Sequence, residues 1–546
     1  MDTKKKKDMT RREFMKASTA AAATSAIGGS WLGMLSKAAW ADKKTNSVII
    51  GWGEEVSQFN PVLSVGWGTQ ELPQSCMFDT LWDPRPDGTL SPNLAVRVPT
   101  LQNGGVSDDG LTWKVELRKG VKWHDGAPFT AADVEFTWQL IVNPKVMAGH
   151  RTGFTKIKEF KVIDDQNIQF KLSQPFAPML NVWTFARIVP KHVLSKVPDV
   201  NTCEWNSTGT FGTGPFQIAE RVPGSHIIYK RNPNYHLDKP KLETVIHKYI
   251  VDQNVLYTQL RTGEIDVLGT PGIRRERYDD AKKLPDVDIM LTPRDSTFNL
   301  LMNCHRPVFQ DKRVRQAIHM AIDKETIIKS VFYDTVKLGL SYMNPDNWWY
   351  NRNLKFPYDP KRASELLDSL GWKMGSGGVR EKDGLKLAFD FNATAGVKDE
   401  EQTQLLVQKN LRDIGIQANI KNLPPAVLWG DYFLETQYDM IIIVNGPDIM
   451  SDPDFTDSMH SKRDMFKYHD GTPEMDALLE QGVRTVDRAK RKAIYDRFQE
   501  LFLDECVYIS ICGITETLAK KKALKGYEIN LYTKDPTRFV REWYWG

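Results

Sequence analysis

Cysteine is scarce: five residues (Cys76, Cys203, Cys304, Cys506 and Cys512) in a chain of 546. None stands in a Cys-x-x-Cys pair, so neither a thioredoxin-like redox motif nor a zinc ribbon is encoded. The count is odd and the spacing wide, which leaves at least one thiol unpaired and excludes a disulfide framework. Cys506 and Cys512 flank an alternating run and read as buried hydrophobes. Long apolar runs are missing too. Beyond residue 41 the longest aliphatic stretch is Met440 to Val444, far below the ~20 residues that span a membrane. Nor does the body of the chain carry an excess of one charge. The formal net charge is +4, but eight Lys/Arg and three acids fall within residues 1–41, leaving 65 basic and 66 acidic side chains for the rest. A polyanion partner needs a basic face, so nucleic acid is not an expected partner.

Catalytic signatures are equally absent. There is no Gly-x-Ser-x-Gly elbow, no His-Glu-x-x-His, no Walker loop and no Gly-x-Gly-x-x-Gly after a strand. The ten histidines stand singly. His460 and His469, near Asp464 and Asp470, are the densest group of metal-ligand types, and a solvated loop is the expected reading. Gly209-Thr-Phe-Gly-Thr-Gly-Pro215 lacks the Lys-Ser/Thr of a nucleotide loop, and Pro215 removes a backbone donor; a tight turn entering a strand at Phe216 is expected. Asp448, Asp452, Asp454 and Asp457 lack EF-hand spacing. They read either as a solvated acidic loop or as a site for a cationic ligand group. No metal, cofactor or catalytic residue is expected.

What is present is the composition of a globular protein: 41% hydrophobic, 26% charged, mean hydropathy −0.43. At roughly 150 residues per domain the length suggests three or more units. The N-terminus reads as an export signal. Thr10-Arg-Arg-Glu-Phe-Met-Lys16 has the twin-arginine form, an alanine-rich stretch from Ala17 to Leu35 follows, and Ala39-Trp-Ala41 is a small-x-small cleavage signal. A mature periplasmic protein beginning near Asp42 is expected.

After the leader the chain is strand-rich to about residue 230. Val48 to Ile50, Leu111 to Leu117, and two strands within 157–172 around the turn at 164–167 alternate or carry β-branched residues. Thr130 is placed to cap a helix through Val134, Phe136 and Leu140. Beyond residue 300 the pattern becomes helix followed by strand. Asp311 caps a helix carrying Val314, Ala317, Ile318, Ala321 and Ile322. Gly371 and Gly415 end helices that precede strand-like runs at Leu385 to Phe391 and Ile416 to Ile420. A last helix, with Ile494, Phe498, Leu501 and Phe502 on one face, leads into Val507 to Ile511. Such alternation marks an α/β lobe, and the change of character implies two lobes with a binding cleft between them.

Several segments together resemble a known family. Ser107-Asp-Asp-Gly-Leu-Thr-Trp-Lys-Val-Glu-Leu-Arg-Lys-Gly-Val-Lys-Trp-His-Asp-Gly-Ala-Pro-Phe-Thr-Ala-Ala-Asp-Val134 is similar, nearly residue for residue, to the signature of the family 5 extracytoplasmic solute-binding proteins of peptide, nickel and opine ABC transporters. Phe78-Asp-Thr-Leu81, Gly212-Thr-Gly-Pro-Phe216, Arg231-Asn-Pro-Asn-Tyr235, Gly263-Glu-Ile-Asp266 and Asp311-Lys-Arg-Val-Arg-Gln-Ala-Ile318 support the likeness in order, over roughly residues 48–546. The resemblance implies an α/β, two-lobed periplasmic binding protein fold (cluster C type) with an extra N-terminal subdomain and an interlobe cleft. Mapped here, residues 42–297 form lobe I, with the subdomain at about 76–205. Residues 298–511 form lobe II, and 512–546 return to lobe I. It implies a non-enzymatic function: capture of a small peptide or peptide-like solute and delivery to inner-membrane permease subunits. The twin-arginine translocase is the expected partner during export, and the protein is expected to be a monomer. A periplasmic cofactor-dependent enzyme, or a chaperone or sensor on the same scaffold, are the alternatives.

For the site, the resemblance places an ammonium-binding carboxylate at Asp448. In dipeptide binders an Arg before a lobe II helix clamps the ligand carboxylate; here Lys398 stands in that stretch, a point charge without bidentate geometry. Asn445 occupies the approach to the acidic loop, where an aromatic is usual. Trp429, Trp67 and the pair Trp348-Trp349 are the expected aromatic cleft walls. Strict dipeptide specificity is not expected.

Overall fold

Two long strands carry the architecture of the computed structural model, which describes residues 46–546 apart from 57, 65–70, 209, 448, 450–451, 464–466 and 534. The leader, Trp67, Asp448 and Asp464 therefore lie outside the described residues. Val287–Met302 and Tyr508–Lys521 run antiparallel along most of their length at the centre of a ten-stranded mixed sheet. Their register slips between Pro293 and Thr297 and again between Phe298 and Asn299. A bulge of this kind bends the strand that carries it. It also divides the pair into two halves with different neighbours. On one side of it the strand Val267–Leu268 pairs with Ala519 and Lys520, and Ser47–Trp52, Thr244–Tyr249, His226–Arg231 and Phe216–Val222 follow outward. On the other, Met440–Asn445 pairs with residues 297–302, and Ala388–Asn392 and Gln417–Ile420 continue the sheet in parallel. The protein is thus two-lobed, with the two long strands crossing between the lobes.

Each lobe buries apolar side chains on both faces of its part of the sheet. In Met440–Asn445, Met440 and Ile442 enter one core with Phe298, Val314 and Leu411, while Ile441 and Ile443 enter another with Tyr342, Trp349 and Phe498. A strand covered on both sides reads as an unbroken apolar run, which holds for Met440 to Ile443, while Val444 at its end is exposed. In lobe I a separate three-stranded sheet (Thr112–Glu116, Asn167–Leu172, Ile157–Asp164) packs with helix Ala131–Val142. Trp113, Phe170, Phe160 and Trp138 stack in a row between them.

Local chemistry follows the sequence closely. Asp133 accepts from the Thr130 N–H at 2.9 Å and opens the helix, and Asp311 accepts from the Arg313 N–H at the head of Lys312–Ala321. Gly371 and Gly415, at φ +88° and +81°, end helices as left-handed residues. Two expectations change. The run Leu385 to Phe391 is not one strand: Leu385–Lys386 joins a small hairpin sheet, and Ala388–Asn392 joins the large one. The Leu387 N–H bonds to the Arg380 carbonyl while its side chain is buried, so the chain changes sheets there. Ile322 lies just past its helix, which ends at Ala321. All five cysteines are free thiols, and Cys506 and Cys512 are buried as expected. Among the described residues no helix is long and apolar enough to cross a membrane.

Candidate functional site

The three parallel strands of lobe II end at one edge, and the segments that leave it carry three of the residues singled out in the sequence. Open α/β sheets bind ligands beyond the carboxyl ends of their strands. Lys398 begins the helix Lys398–Asp413 after Ala388–Asn392, Trp429 lies on the segment after Gln417–Ile420, and Asn445 is the last residue of Met440–Asn445. Trp429 is half-buried on an irregular helical turn broken at Gly430, edge-on to Phe433 at 5.1 Å. The Asn445 side-chain oxygen accepts from Asn299 Nδ2 at 2.6 Å, and Asn299 Nδ2 also donates to Thr297 Oγ1 at 2.9 Å. Gly446 then passes flush against the bulged crossover: a Cβ there would lie 2.2 Å from the Asp295 carbonyl oxygen.

The crossover itself is held by polar side chains. Arg294 pairs with Glu516 at 2.7 Å and donates to Thr270 Oγ1 at 3.2 Å. Asn347 donates to the buried Asp295 carboxylate at 2.5 Å, and Asn344 donates to the carbonyls of Arg294 and Ser296. Next to it, two ion pairs join the lobes: Lys398 to Glu276 at 3.3 Å, and Arg275 to Asp399 at 3.4 Å. Burial pushes the Asp399 carboxyl above its ordinary range, against the pull of Arg275. These residues line a cavity of about 340 Å³ with Gln253, Pro271 and Thr515. Lys398 thus faces a lobe I carboxylate.

Trp348 lies elsewhere. The Arg488 guanidinium stacks over its ring at 4.3 Å, and it lines a second interlobe cavity of about 180 Å³ with Leu90, Leu180 and Tyr532. Its neighbour Trp349 is not a cleft wall but a fully buried residue of the lobe II core. A third cavity, of about 630 Å³, is bounded by Thr152, Lys156 and Phe176 of lobe I and by Asp454, His460 and Arg484 of lobe II.

The acidic loop matches neither reading given to it as a whole. Asp452 is 0% exposed and Asp454 3%, while Asp457 is exposed. Asp452 takes a bidentate pair from Arg491 at 2.5 and 2.7 Å, so its charge is already neutralised within lobe II. Asp454 accepts from the N–H and hydroxyl of Thr456, and burial together with neighbouring Asp452 pushes its carboxyl up to about 6. His460 and His469 are buried rather than on a solvated loop. Each Nδ1 accepts a backbone N–H, from Lys462 at 3.0 Å and Gly471 at 2.8 Å, which is turn chemistry. Among the described residues no three His, Cys, Asp or Glu side chains gather as a metal site. Gly212 and Gly214 press on the Met77 backbone ahead of strand Phe216–Val222, the turn expected there.

Sequence reasoning missed Glu276, Arg294, Glu516 and Arg491. Only Arg491 left a signal, since it shares a helical stripe with Tyr495, Phe498 and Phe502 and a charge on such a stripe requires a buried partner.

Comparison with known proteins adds the following. The description "Bacterial extracellular solute-binding proteins, family 5 Middle" matches residues 89–467. The oligopeptide-binding protein AppA of Bacillus subtilis is 26% identical over 502 residues, 90% of each chain. Its structure in complex with a nonapeptide superposes with a TM-score of 0.75 at 25% identity, covering 92% of this chain and 99% of that one. The dipeptide-binding protein of Escherichia coli is 27% identical over 504 residues, 86% of this chain and 90% of the relative. NikZ from Campylobacter jejuni, solved with Ni(L-His), superposes with a TM-score of 0.76 at 26% identity over 91% and 99% of the two chains.

Proposed function

The chain belongs to the bacterial extracellular solute-binding proteins of family 5, substrate-binding components of ABC importers and not enzymes, and we propose that its own guest is a peptide or peptide-like solute. The observation that carries this is the bulged pair of crossover strands, with the carboxyl edge of the lobe II strands facing the seam beside it. A bend at the bulge opens and closes the lobes, and a guest touching both faces stabilises the closed state. The printed ligands of the relatives, a nonapeptide for AppA and Ni(L-His) for NikZ, support a polar, peptide-like guest without fixing its length. In this reading lobe I is 42–297, with its subdomain at about 76–205, lobe II is 298–511, and 512–546 returns to lobe I. Trp429, Asn445 and Asp448 face the guest, with Trp67 and Trp348 as further walls. Lys398 acts through Glu276. Export follows the twin-arginine route of residues 10–16, and the protein works as a periplasmic monomer that hands its guest to a membrane permease. A micromolar affinity corresponds to about −8 kcal/mol, within reach of one charge pair, backbone hydrogen bonds and aromatic contact.

The test is mass spectrometry of small molecules released by denaturing protein purified from its native periplasm, followed by calorimetry with the compound found. An intact peptide or peptide conjugate that rebinds supports the reading. A guest recovered chemically altered, or a non-peptide guest with no response to peptide pools, refutes it.

A further inference from the structure

Lobe I meets lobe II a second time, through the segment 176–181 of its subdomain and away from the crossover strands. The Ala177 N–H donates to the Val483 carbonyl at 2.7 Å. Asn181 Nδ2 donates to Asp452 Oδ2 at 3.0 Å, and the Thr152 hydroxyl lies 3.3 Å from Asp457 Oδ2. On the lobe II side these partners cluster where helix Pro473–Arg484 gives way to Arg488–Glu505. The receiving group is prepared in advance. Asp452 is held by Arg491, whose Nε also donates to the Gly482 carbonyl at 2.8 Å, and all of these atoms belong to lobe II. The donating side is equally fixed within lobe I. Thr184 Oγ1 donates to the Asn181 carbonyl at 2.7 Å, and Trp82 Nε1 to the Leu180 carbonyl at 2.8 Å.

The interlobe cavities of about 630 and 180 Å³ include residues of the same segment, Phe176 in the first and Ala177, Leu180 and Asn181 in the second. What crosses the seam is a few hydrogen bonds together with apolar contact, Ile449 and Val483 of lobe II being buried against the lobe I core. The chemistry of the hydrogen bonds suits repeated breaking. Separating two buried ions leaves each uncompensated, but here the ion pair Asp452–Arg491 stays whole on lobe II, and the donors that open to water are neutral, a side-chain amide, a backbone N–H and a hydroxyl.

We propose that Asn181 and Asp452 form a latch that sets how much of the protein is closed, making Asn181 a positioning residue for solute capture that never touches the guest. The proposal rests on the solute-capture reading. Apparent affinity is the intrinsic affinity scaled by the closed fraction. Weakening the latch therefore lowers affinity for every guest by one common factor, whereas altering a guest-contacting residue changes affinities unequally. Because the Asp452 charge is already paired with Arg491, loss of this bond counts as loss of one ordinary hydrogen bond, which sets the factor at roughly two- to tenfold.

The experiment uses the full mature protein stripped of guest, as wild type, Asn181→Ala and Asn181→Asp. Small-angle scattering without ligand reads the opening directly and does not depend on knowing the guest. Asn181→Ala should raise the radius of gyration at an unchanged melting temperature. Asn181→Asp, which sets a carboxylate against Asp452, should raise it further. Calorimetry with trialanine and with a nonapeptide should then show both affinities falling by the same factor. Scattering identical to wild type in both variants overturns the latch. So do affinity losses that differ between the two peptides, because Asn181 would then be reading the guest. Should neither peptide bind the wild type, the peptide reading fails while scattering still decides the latch.

Discussion

Replacing Lys398 by methionine asks whether this lysine holds the guest or holds the lobes. Its ammonium lies 3.3 Å from Glu276, and the two side chains are 53% and 35% exposed. Ion pairs this open to water contribute about 0.2–1 kcal/mol. The second pair across the seam, Arg275 to Asp399, remains in the variant. The loss to the closed state is therefore at most ~1 kcal/mol, a weakening of peptide binding by less than about fivefold. A lysine bonded to a guest carboxylate inside a closed cleft would instead contribute ~1.5–3 kcal/mol, a loss of roughly 10- to 150-fold. The two cases also differ in salt dependence, because at ~1 M ionic strength the screening length falls to ~3 Å. Calorimetry at low and high salt, on Lys398→Met, Glu276→Gln and the double variant, separates them. The expected outcome is a small loss that fades with salt, with the double variant no weaker than either single one. A loss above thirtyfold that persists in high salt and is undiminished in the Glu276→Gln background would refute the cross-lobe assignment.

Two further outcomes concern buried titrating groups. Lys324 is 7% exposed, its Nζ has no hydrogen-bond partner among the described residues, and burial pulls its amine down to about 7. The unfolded chain keeps that proton to about pH 10.4, so this group favours the fold increasingly as pH rises from 7 to 10 and loses that contribution as pH falls through 7. Lys324→Met should raise stability by about 1–3 kcal/mol at pH 6 and by little at pH 10, read from urea melts at the two pH values; equal gains at both would contradict it. Asp454 titrates in the opposite sense. Its carboxyl, pushed up to about 6 from an ordinary 3.8, favours the fold below pH 4, and that contribution is lost as pH rises through 6. Asp454→Asn, which keeps an oxygen for the Thr456 donors, should flatten the pH dependence of melting between 4 and 7; an unchanged slope would place the titration elsewhere.

Much of the fold was legible because it rests on local rules. Asp311 caps its helix, Gly371 and Gly415 end theirs, and the unbroken apolarity of Met440 to Ile443 shows that both faces of the strand are covered there. Legibility fails where a residue's meaning depends on a partner distant in the chain. The strand Tyr508–Lys521 runs on well past the alternating run at Val507 to Ile511 that the sequence marks. The far half of that strand carries Thr515, Glu516, Thr517 and Lys520, polar residues of the kind that ends a strand in a local reading. Here Glu516 pairs with Arg294 and Lys520 with Asp288, while the backbone carbonyls of Thr515 and Thr517 accept from the Arg275 side chain and the Ile273 N–H.

The same distance governs the site. Lys398 was read as a charge available to a guest and Asp452 as part of an acidic loop that was either solvated or ligand-binding, yet each is answered from lobe I, by Glu276 and Asn181 respectively, and Asp452 also by Arg491 of its own lobe. Periodicity reports which side of an element is buried within its own lobe. It carries no record of a surface that is covered only when two lobes meet. In a protein whose site is the gap itself, a charge near the gap has two candidate owners, the guest and the opposite lobe. In this structure the Lys398 ammonium faces Glu276 and the Asp452 carboxylate faces Arg491 and Asn181, so both charges have a protein partner before any guest arrives.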